Sequence, residues 1–301
     1  MKTWSTPVKQ QNCEQVPCAL CGGAEFKPYL SCEGFSYVIC KKCKLVQMNP
    51  QPKTEDVQFR YREDHGKDYL SYELANEETF LRLQELSLKD AGFHEAGFHE
   101  AGFHESENLD SPWDNKKSGK PSVLDIGCAT GALLARLRER GWKTTGVEIS
   151  LPQAEYARRE RGLDVRTAPL EENHFDENSF TAVLASHLIE HLNNPSSLVR
   201  EAHRILVPGG GLFITTPNIA GFQFRLFRGR WRSAIFDHLY LFSAKTLKAL
   251  LAQNGFVIEK TVTWGGLAAG TVPAPLKRAA DKAAKRVGAG DVMMIRSVKS
   301  S

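Results

Sequence analysis

Short apolar runs alternate with amphipathic stretches through the second half of this 301-residue chain. Residues 123–126, 144–149, 163–167, 180–185 and 211–215 are compact runs rich in apolar or β-branched side chains, the pattern of strands. Between them, residues 132–140, 152–161 and 196–206 space their apolar positions as one face of a helix does. That alternation predicts an α/β fold, a doubly wound and mainly parallel sheet covered by helices. Upstream, leucines at positions 74, 81 and 88 predict a helix over residues 73–89. The chain divides into a cysteine-rich module at 13–50, a polar, Tyr-rich connector at 51–119 and an α/β domain at 120–301.

Within the connector the pentapeptide Glu-Ala-Gly-Phe-His repeats, setting His94, His99 and His104 five positions apart. Histidines beside glutamates invite a metal-binding reading. A five-residue step, however, leaves successive helical side chains about 140° apart, and on a strand it alternates faces. Neither element gathers the three, so an insertion in a surface loop is expected.

Composition narrows the class. Hydrophobic residues make up 42% and charged residues 25%, as in a soluble globular chain. The 39 Lys plus Arg against 35 Asp plus Glu leave a surplus too small to demand a nucleic-acid partner. No apolar run reaches the length of a membrane span, and Met1 to Pro7 lacks the apolar core of a signal peptide, so a cytoplasmic location is expected. There, cysteines are expected as thiols or metal ligands rather than disulfides.

Six of the seven cysteines lie within residues 13–50. Cys18 and Cys21 form one Cys-x-x-Cys knuckle, and Cys40 and Cys43 form a second, with 18 residues between them. Two knuckles deliver four thiolates, the tetrahedral set that structural zinc takes. Residues 35–39 alternate like a hairpin strand, as a zinc ribbon requires, and Gly22 and Gly23 let the chain curl beneath the first pair. A redox dithiol would place one such motif at a helix start, which fits less well. Cys13 and Cys32 are left as spare thiols.

Val123-Leu124-Asp125-Ile126-Gly127-Cys128-Ala129-Thr130-Gly131 reads as strand, glycine turn and helix start, a nucleotide-type cradle. A dinucleotide fingerprint needs glycine where Ala129 stands, so that backbone can approach a pyrophosphate. A cofactor without phosphates tolerates alanine, which favours S-adenosylmethionine over NAD. Glu148, 17 positions after Gly131 at the end of the next strand, can accept hydrogen bonds from a ribose.

Residues 125–131 resemble the first signature of the class I S-adenosylmethionine-dependent methyltransferases. Asp176 to Phe180, Glu190 to Pro195, Arg204 to Leu212, Thr216-Pro217-Asn218, His238 to Ser243 and Asn254-Gly255-Phe256 resemble later motifs of the same family, over residues 120–262. The resemblance implies a seven-stranded sheet whose last strand is antiparallel, with residues 257–262 and 292–298 as the final hairpin. It also implies that Asp125, Gly127, Cys128 and Gly131 line the methionine end of the cofactor, that Glu148 holds the ribose, and that Ala168 and Leu170 flank adenine. Where many relatives carry an acidic residue for the adenine amine, this chain has Thr167-Ala168-Pro169-Leu170, leaving backbone groups or Glu171 for that contact. Ser186 and His187 are expected to face the reacting groups.

His187-Leu188-Ile189-Glu190-His191 also spells the H-x-x-E-H zinc signature of a peptidase class, which needs a continuous helix. An apolar run leads straight into it and Asn193-Asn194-Pro195 closes it, so strand then turn is expected instead. At the predicted mouth, His187, His191 and His238 are the candidate general bases, ahead of Glu190, since histidine works near neutral pH. His187 and His238 lead, and His191 is expected to pack or hydrogen-bond instead. The aromatic and arginine-rich stretch between Asn218 and Phe242 reads as a wall of the acceptor site, or as a packed excursion with a basic edge. Residues 275–287 read as a solvated basic helix.

The function expected is methyl transfer from S-adenosylmethionine to a small-molecule acceptor. The order of cysteine module, Asn49-Pro50-Gln51-Pro52, Tyr-rich connector and catalytic domain resembles bacterial methyltransferases of surface sugars or secondary metabolites. Tyr69 or Tyr72 of that connector could fold over the cofactor. An RNA methyltransferase gripping RNA through the ribbon is the alternative, although only Lys27, Lys41, Lys42 and Lys44 supply charge there. A non-catalytic cofactor-binding protein is the third.

Overall fold

A computed structural model describes residues 13–32, 34–59, 61, 66–93, 120–265, 282 and 284–300. The repeat histidines lie outside them, and with them the loop expected there; of the helix expected at 275–287 only residues 282 and 284–287 are described, with 282 and 284–286 helical.

The N-terminal module is an antiparallel meander. Strand β1 (Cys13–Glu14) pairs with β5 (Gln51–Pro52), bringing the ends of the module together. Between them run β2 (Phe26–Cys32), β3 (Phe35–Cys40) and β4 (Val46–Met48). Helices α1 (Thr54–Phe59) and α2 (Gly66–Asp90) lead into the α/β domain. There the order is β6 (Ser122–Ile126), α3 (Ala132–Glu139), β7 (Lys143–Val147), α4 (Leu151–Arg161), β8 (Val165–Arg166), β9 (Phe180–Ser186), α5 (Pro195–Ile205) and β10 (Leu206–Pro217). It continues with α6 (Phe222–Phe227), β11 (Tyr240–Leu241), α7 (Ala244–Gln253), β12 (Phe256–Trp264) and β13 (Val292–Lys299).

Seven strands form the central sheet in the order β12-β13-β10-β9-β6-β7-β8. The β6, β7, β8, β9 and β10 pairings are parallel, and β13 runs antiparallel to both neighbours. Alternating side chains divide the core into two layers. Val123, Ala182, Leu184 and Phe213 pack with α2, α3 and α4, through Leu81, Leu134 and Ala157 among others. Leu124, Val183, Ala185 and Ile214 face the opposite way, against Leu198 of α5 and Leu247 of α7. The strand expected at 163–167 shortens to Val165–Arg166, because Leu163 turns inward against the α3–α4 layer. The strand expected at 211–215 lengthens to twelve residues, with a register shift between Leu206 and Gly211 where Gly209 takes a positive φ.

The cysteine module does not stand apart from this core. Strand β11, from the α/β domain, completes its sheet by pairing with β4, and the Met48 N–H donates to the Leu239 carbonyl at 2.8 Å. Tyr37, 1% exposed, shares its hydroxyl between the carbonyls of Ile235 at 2.9 Å and His238 at 2.8 Å. Tyr37, Val46 and Met48 belong to the same buried cluster as Trp231, Leu239 and Phe242. A module this small cannot bury enough surface alone. Tyr37→Phe deletes the donor to two inward carbonyls and is expected to destabilise the protein by about 1–3 kcal/mol, measured by denaturant unfolding.

Candidate functional site at the carboxyl edge of the sheet

The five parallel strands end on one edge, and the strand order reverses between β6 and β9, so a crevice opens beyond them. The turn after β6 lies in that crevice. Gly127, Ala129 and Gly131 all adopt positive φ, at 75°, 50° and 75°. The N–H groups of Gly127 and Cys128 donate to the Val147 carbonyl and pin the turn to β7. Glu148 follows β7. Its carboxylate accepts the Ala129 N–H at 3.0 Å and the Ser150 N–H at 2.8 Å, one on each oxygen, so both retain lone pairs for a ligand. Burial raises the pKa of Glu148, and those backbone donors oppose it. Asp125 is buried; desolvation, then the charge of Glu148, pushes its carboxyl up to about 8.

The other turn residues differ in what they offer. A Cβ at Gly127 would meet only Leu188, at ordinary contact distance. At Gly131 it would overlap Leu163 and press on Ala157, so this glycine also serves close helix packing. The Cys128 thiol is buried toward Gly146, and its carbonyl accepts the Gly131 N–H at 2.8 Å within the turn. Ala168 is half-buried beyond β8, and Leu170 is buried at the head of a short 3-10 turn. Glu171 accepts a hydrogen bond from the Ser197 hydroxyl.

Sequence reasoning looked to the tyrosines of the connector and missed its carboxylates. Helix α2 lies across the glycine turn. Glu77 accepts from the Thr130 hydroxyl at 3.0 Å and pairs with Arg161 of α4. Glu73, one turn earlier, accepts the Thr130 N–H; burial, then Glu148 and Glu77, pushes its carboxyl up to about 7. Its Oε2 is buried without a hydrogen-bond partner. Tyr69, half-exposed on the same helix, lies within electrostatic reach of Glu73 and Glu148.

Past β9 the chain makes a single 3-10 turn, Ile189–His191, and not the continuous helix a peptidase signature needs. Ser186 is half-buried at the strand end. His187 takes a positive φ of 51°, its N–H donates to the Thr215 carbonyl, and its side chain is 50% exposed. Its Nδ1 lies 3.4 Å from Oε1 of Glu190, whose other oxygen accepts the Thr216 hydroxyl at 2.9 Å. Burial alone would raise the Glu190 pKa, but the His187 contact and the fields of His191, His187 and His238 outweigh it and hold the carboxyl near 2. His191 Nδ1 meets the Tyr61 hydroxyl at 2.8 Å and the Asp237 carbonyl at 2.9 Å. His238, expected at the mouth, is instead 8% exposed, with Nδ1 on the Ser233 carbonyl at 2.8 Å and its ring 4.7 Å from that of His191. Glu190, His191 and His238 each bring a ligand atom within 4.8 Å of the others, an arrangement open to a metal ion.

The four knuckle thiols form the other such cluster among the described residues, also within 4.8 Å of one another. Cys18 and Cys43 Sγ are 3.3 Å apart, and Cys21 and Cys40 Sγ are 3.5 Å apart. Tetrahedral zinc with bonds near 2.3 Å sets its sulfurs about 3.8 Å apart, so the residues fit that ion. Burial opposes ionisation of Cys40, but the backbone N–H groups of Cys43 and Lys42 and the neighbouring thiols bring it down to about 7.

The profile of the family described as methyltransferase domain matches residues 82–261, more than half the chain. The chain belongs to that family. The mitochondrial ubiquinone biosynthesis O-methyltransferase of Rattus norvegicus is 33% identical over 126 residues, covering 37% of this chain and 36% of the relative. The ubiquinone biosynthesis O-methyltransferase of Pseudomonas aeruginosa LESB58 is 31% identical over 114 residues, 35% of this chain and 49% of that one. The chain thus spans about a third to a half of the length of these curated relatives. A solved S-adenosylmethionine-dependent methyltransferase of Archaeoglobus fulgidus superposes with a TM-score of 0.51 at 18% identity, over 76% of this chain and 99% of that one. This methyltransferase-family chain shares its fold, the Rossmann-like, mainly parallel seven-stranded sheet.

Burial, then His191, lowers His238 to about 4, below the ordinary histidine value of 6.5. Neutral His238 therefore contributes stability that is complete above pH 6.5 and lost as pH falls through 4. His238→Asn is expected to flatten the dependence of the unfolding midpoint on pH across that window, read by thermal melts.

Proposed function

We propose that this protein is an S-adenosylmethionine-dependent methyltransferase acting on a hydroxyl-bearing small molecule, with structural zinc in its N-terminal module. The observation that carries the reading is the Glu148 carboxylate, fixed by backbone donors beside the positive-φ turn of Gly127 to Gly131. The acidic surroundings of Asp125, Glu73 and its partnerless oxygen suit a cofactor that bears a sulfonium and an ammonium charge. The names of the curated relatives, O-methyltransferases of ubiquinone biosynthesis, support a small hydroxyl acceptor. A sugar or secondary metabolite falls within that class.

In this reading Glu148 accepts from the ribose hydroxyls, and Asp125 with the backbone of Gly127, Cys128 and Gly131 receives the methionine end. Ala168 and Leu170 border the adenine. When bound, the cofactor supplies an electrophilic methyl group, so alignment and proton removal are left to the protein. His187 takes the acceptor proton. Glu190, buried and ionised, orients the His187 ring and stabilises its cationic form. Ser186 borders the acceptor, while His238 and His191 hold the floor beneath Glu190. The four thiolates of Cys18, Cys21, Cys40 and Cys43 hold zinc, and the pairing of β4 with β11 transmits that rigidity to His238.

The test is transfer of labelled methyl from S-adenosylmethionine to catechol, phenol and sugar acceptors, with RNA in parallel. Label in a small hydroxyl compound is expected, and His187→Gln should lower kcat by about 10²–10⁴-fold while leaving cofactor affinity unchanged. Label in RNA alone would overturn the acceptor class. Metal analysis should give one zinc per chain, and chelation should lower the melting temperature; a metal-free protein melting at the same temperature would overturn the zinc assignment.

A further inference from the structure

The contact between α2 and the glycine turn leaves one buried atom without a role. Thr130 is held by two carboxylates of α2, its N–H by Glu73 and its hydroxyl by Glu77 at 3.0 Å. Glu77 also pairs with Arg161 of α4, which fixes the helix over the turn. Glu73 Oε2, one helical turn earlier, is buried with no hydrogen-bond partner. Its neighbours are themselves acidic: Glu77 on the same helix, Glu148 after β7, and the phenol of Tyr69. Arg161 is already engaged by Glu77. Burial, then Glu148 and Glu77, holds the Glu73 carboxyl up at about 7, the mark of a place short of positive charge. Asp125, 3% exposed inside the end of β6, adds a second carboxyl in the same condition, through desolvation and then Glu148.

Given the cofactor proposed above, on which this inference rests, we propose that Glu73 is a cofactor-binding residue. Its Oε2 accepts a hydrogen bond from the α-ammonium of S-adenosylmethionine, so the connector helix completes the methionine end of the site. A bare metal ion does not suit these acids. Among the described residues, the clusters that gather three ligand atoms within 4.8 Å are the knuckle thiols and Glu190, His191 and His238. The carboxylates around Glu73 do not converge in that way, so the positive charge must arrive on the end of a larger molecule. Of the two cationic groups of the cofactor, the sulfonium has no N–H and cannot satisfy a buried acceptor, whereas an ammonium carries three donors. Position agrees with chemistry. Glu148 follows β7, on the ribose side, while Thr130 belongs to the turn after β6, on the methionine side. A carboxylate oxygen buried without a donor is costly, and a charge-assisted hydrogen bond removes that cost, so the group that supplies one is bound the more tightly. The grip of Glu77 on Thr130 and Arg161 sets Glu73 in place beforehand, so little ordering accompanies binding.

Calorimetric titration of the full chain and its Glu73→Gln variant with three probes tests the assignment. The probes are S-adenosylhomocysteine, the same molecule without its α-amino group, and methylthioadenosine, which lacks the whole amino-acid end. Glutamine keeps an acceptor for the Thr130 N–H and removes the charge. Glu73→Gln should weaken S-adenosylhomocysteine by about 10–100-fold, the worth of a hydrogen bond between charged groups. It should leave methylthioadenosine affinity unchanged, which shows that the site is still folded. The wild type should prefer S-adenosylhomocysteine to the deaminated probe, and the variant should lose that preference, so the two losses are not additive. Equal affinity of wild type and Glu73→Gln for S-adenosylhomocysteine, with Glu148→Ala weakened, would overturn the role of Glu73 and leave the cofactor reading standing. A matching loss of methylthioadenosine binding in Glu73→Gln would also overturn it, since Glu73 would then only brace the turn. A wild type that binds none of the probes would remove the cofactor reading and this assignment together.

Discussion

Burial of both faces of the central sheet is the constraint on which the rest depends. Strands such as Ser122–Ile126 and Phe180–Ser186 are apolar nearly throughout, because helices cover one face and the cysteine module with α5 and α7 covers the other. Such strands can present polar groups only where they end. The turn of Gly127 to Gly131, Glu148, Ala168 and His187 follow four different strands and meet along one edge for that reason. Asp125 is the exception that still sits inside the strand, and its raised pKa measures what the interior imposes on a carboxyl there.

The cysteine module is a structural part of the same object. Its sheet is finished by a strand from nearly two hundred residues later, and Tyr37 reaches the backbone carbonyls of Ile235 and of His238 itself. A metal that stiffens the module would therefore act on the acceptor side of the crevice at a distance from Glu148. In the function proposed, cofactor grip and acceptor geometry would have separate supports: α2 and the glycine turn for one, the module and the excursion after β10 for the other.

What was legible in the sequence followed from local rules. The parallel strands showed as unbroken apolar runs, the cradle as glycines in positive-φ positions, and the knuckles as spaced cysteine pairs. Long-range pairing left no such trace. Nothing near Tyr240 announces that it will join β4, and nothing near Glu73 or Glu77 announces Thr130 and Arg161. His238 read as a mouth residue because the pattern His238 to Ser243 gives its order along the chain but not its burial. The gathering of Glu190, His191 and His238 likewise comes from β11 folding back beside the turn after β9, with the Leu239 N–H donating to the Glu190 carbonyl at 2.7 Å.

The most direct test of the central claim is calorimetric titration of the folded protein with S-adenosylmethionine, repeated on Glu148→Ala. Saturable one-to-one binding is expected, weakened by the substitution by about 10–100-fold, the worth of charge-assisted hydrogen bonds to a carboxylate. No heat of binding to the wild type, or equal affinity in Glu148→Ala, would contradict it and return the turn of Gly127 to Gly131 to a purely structural role.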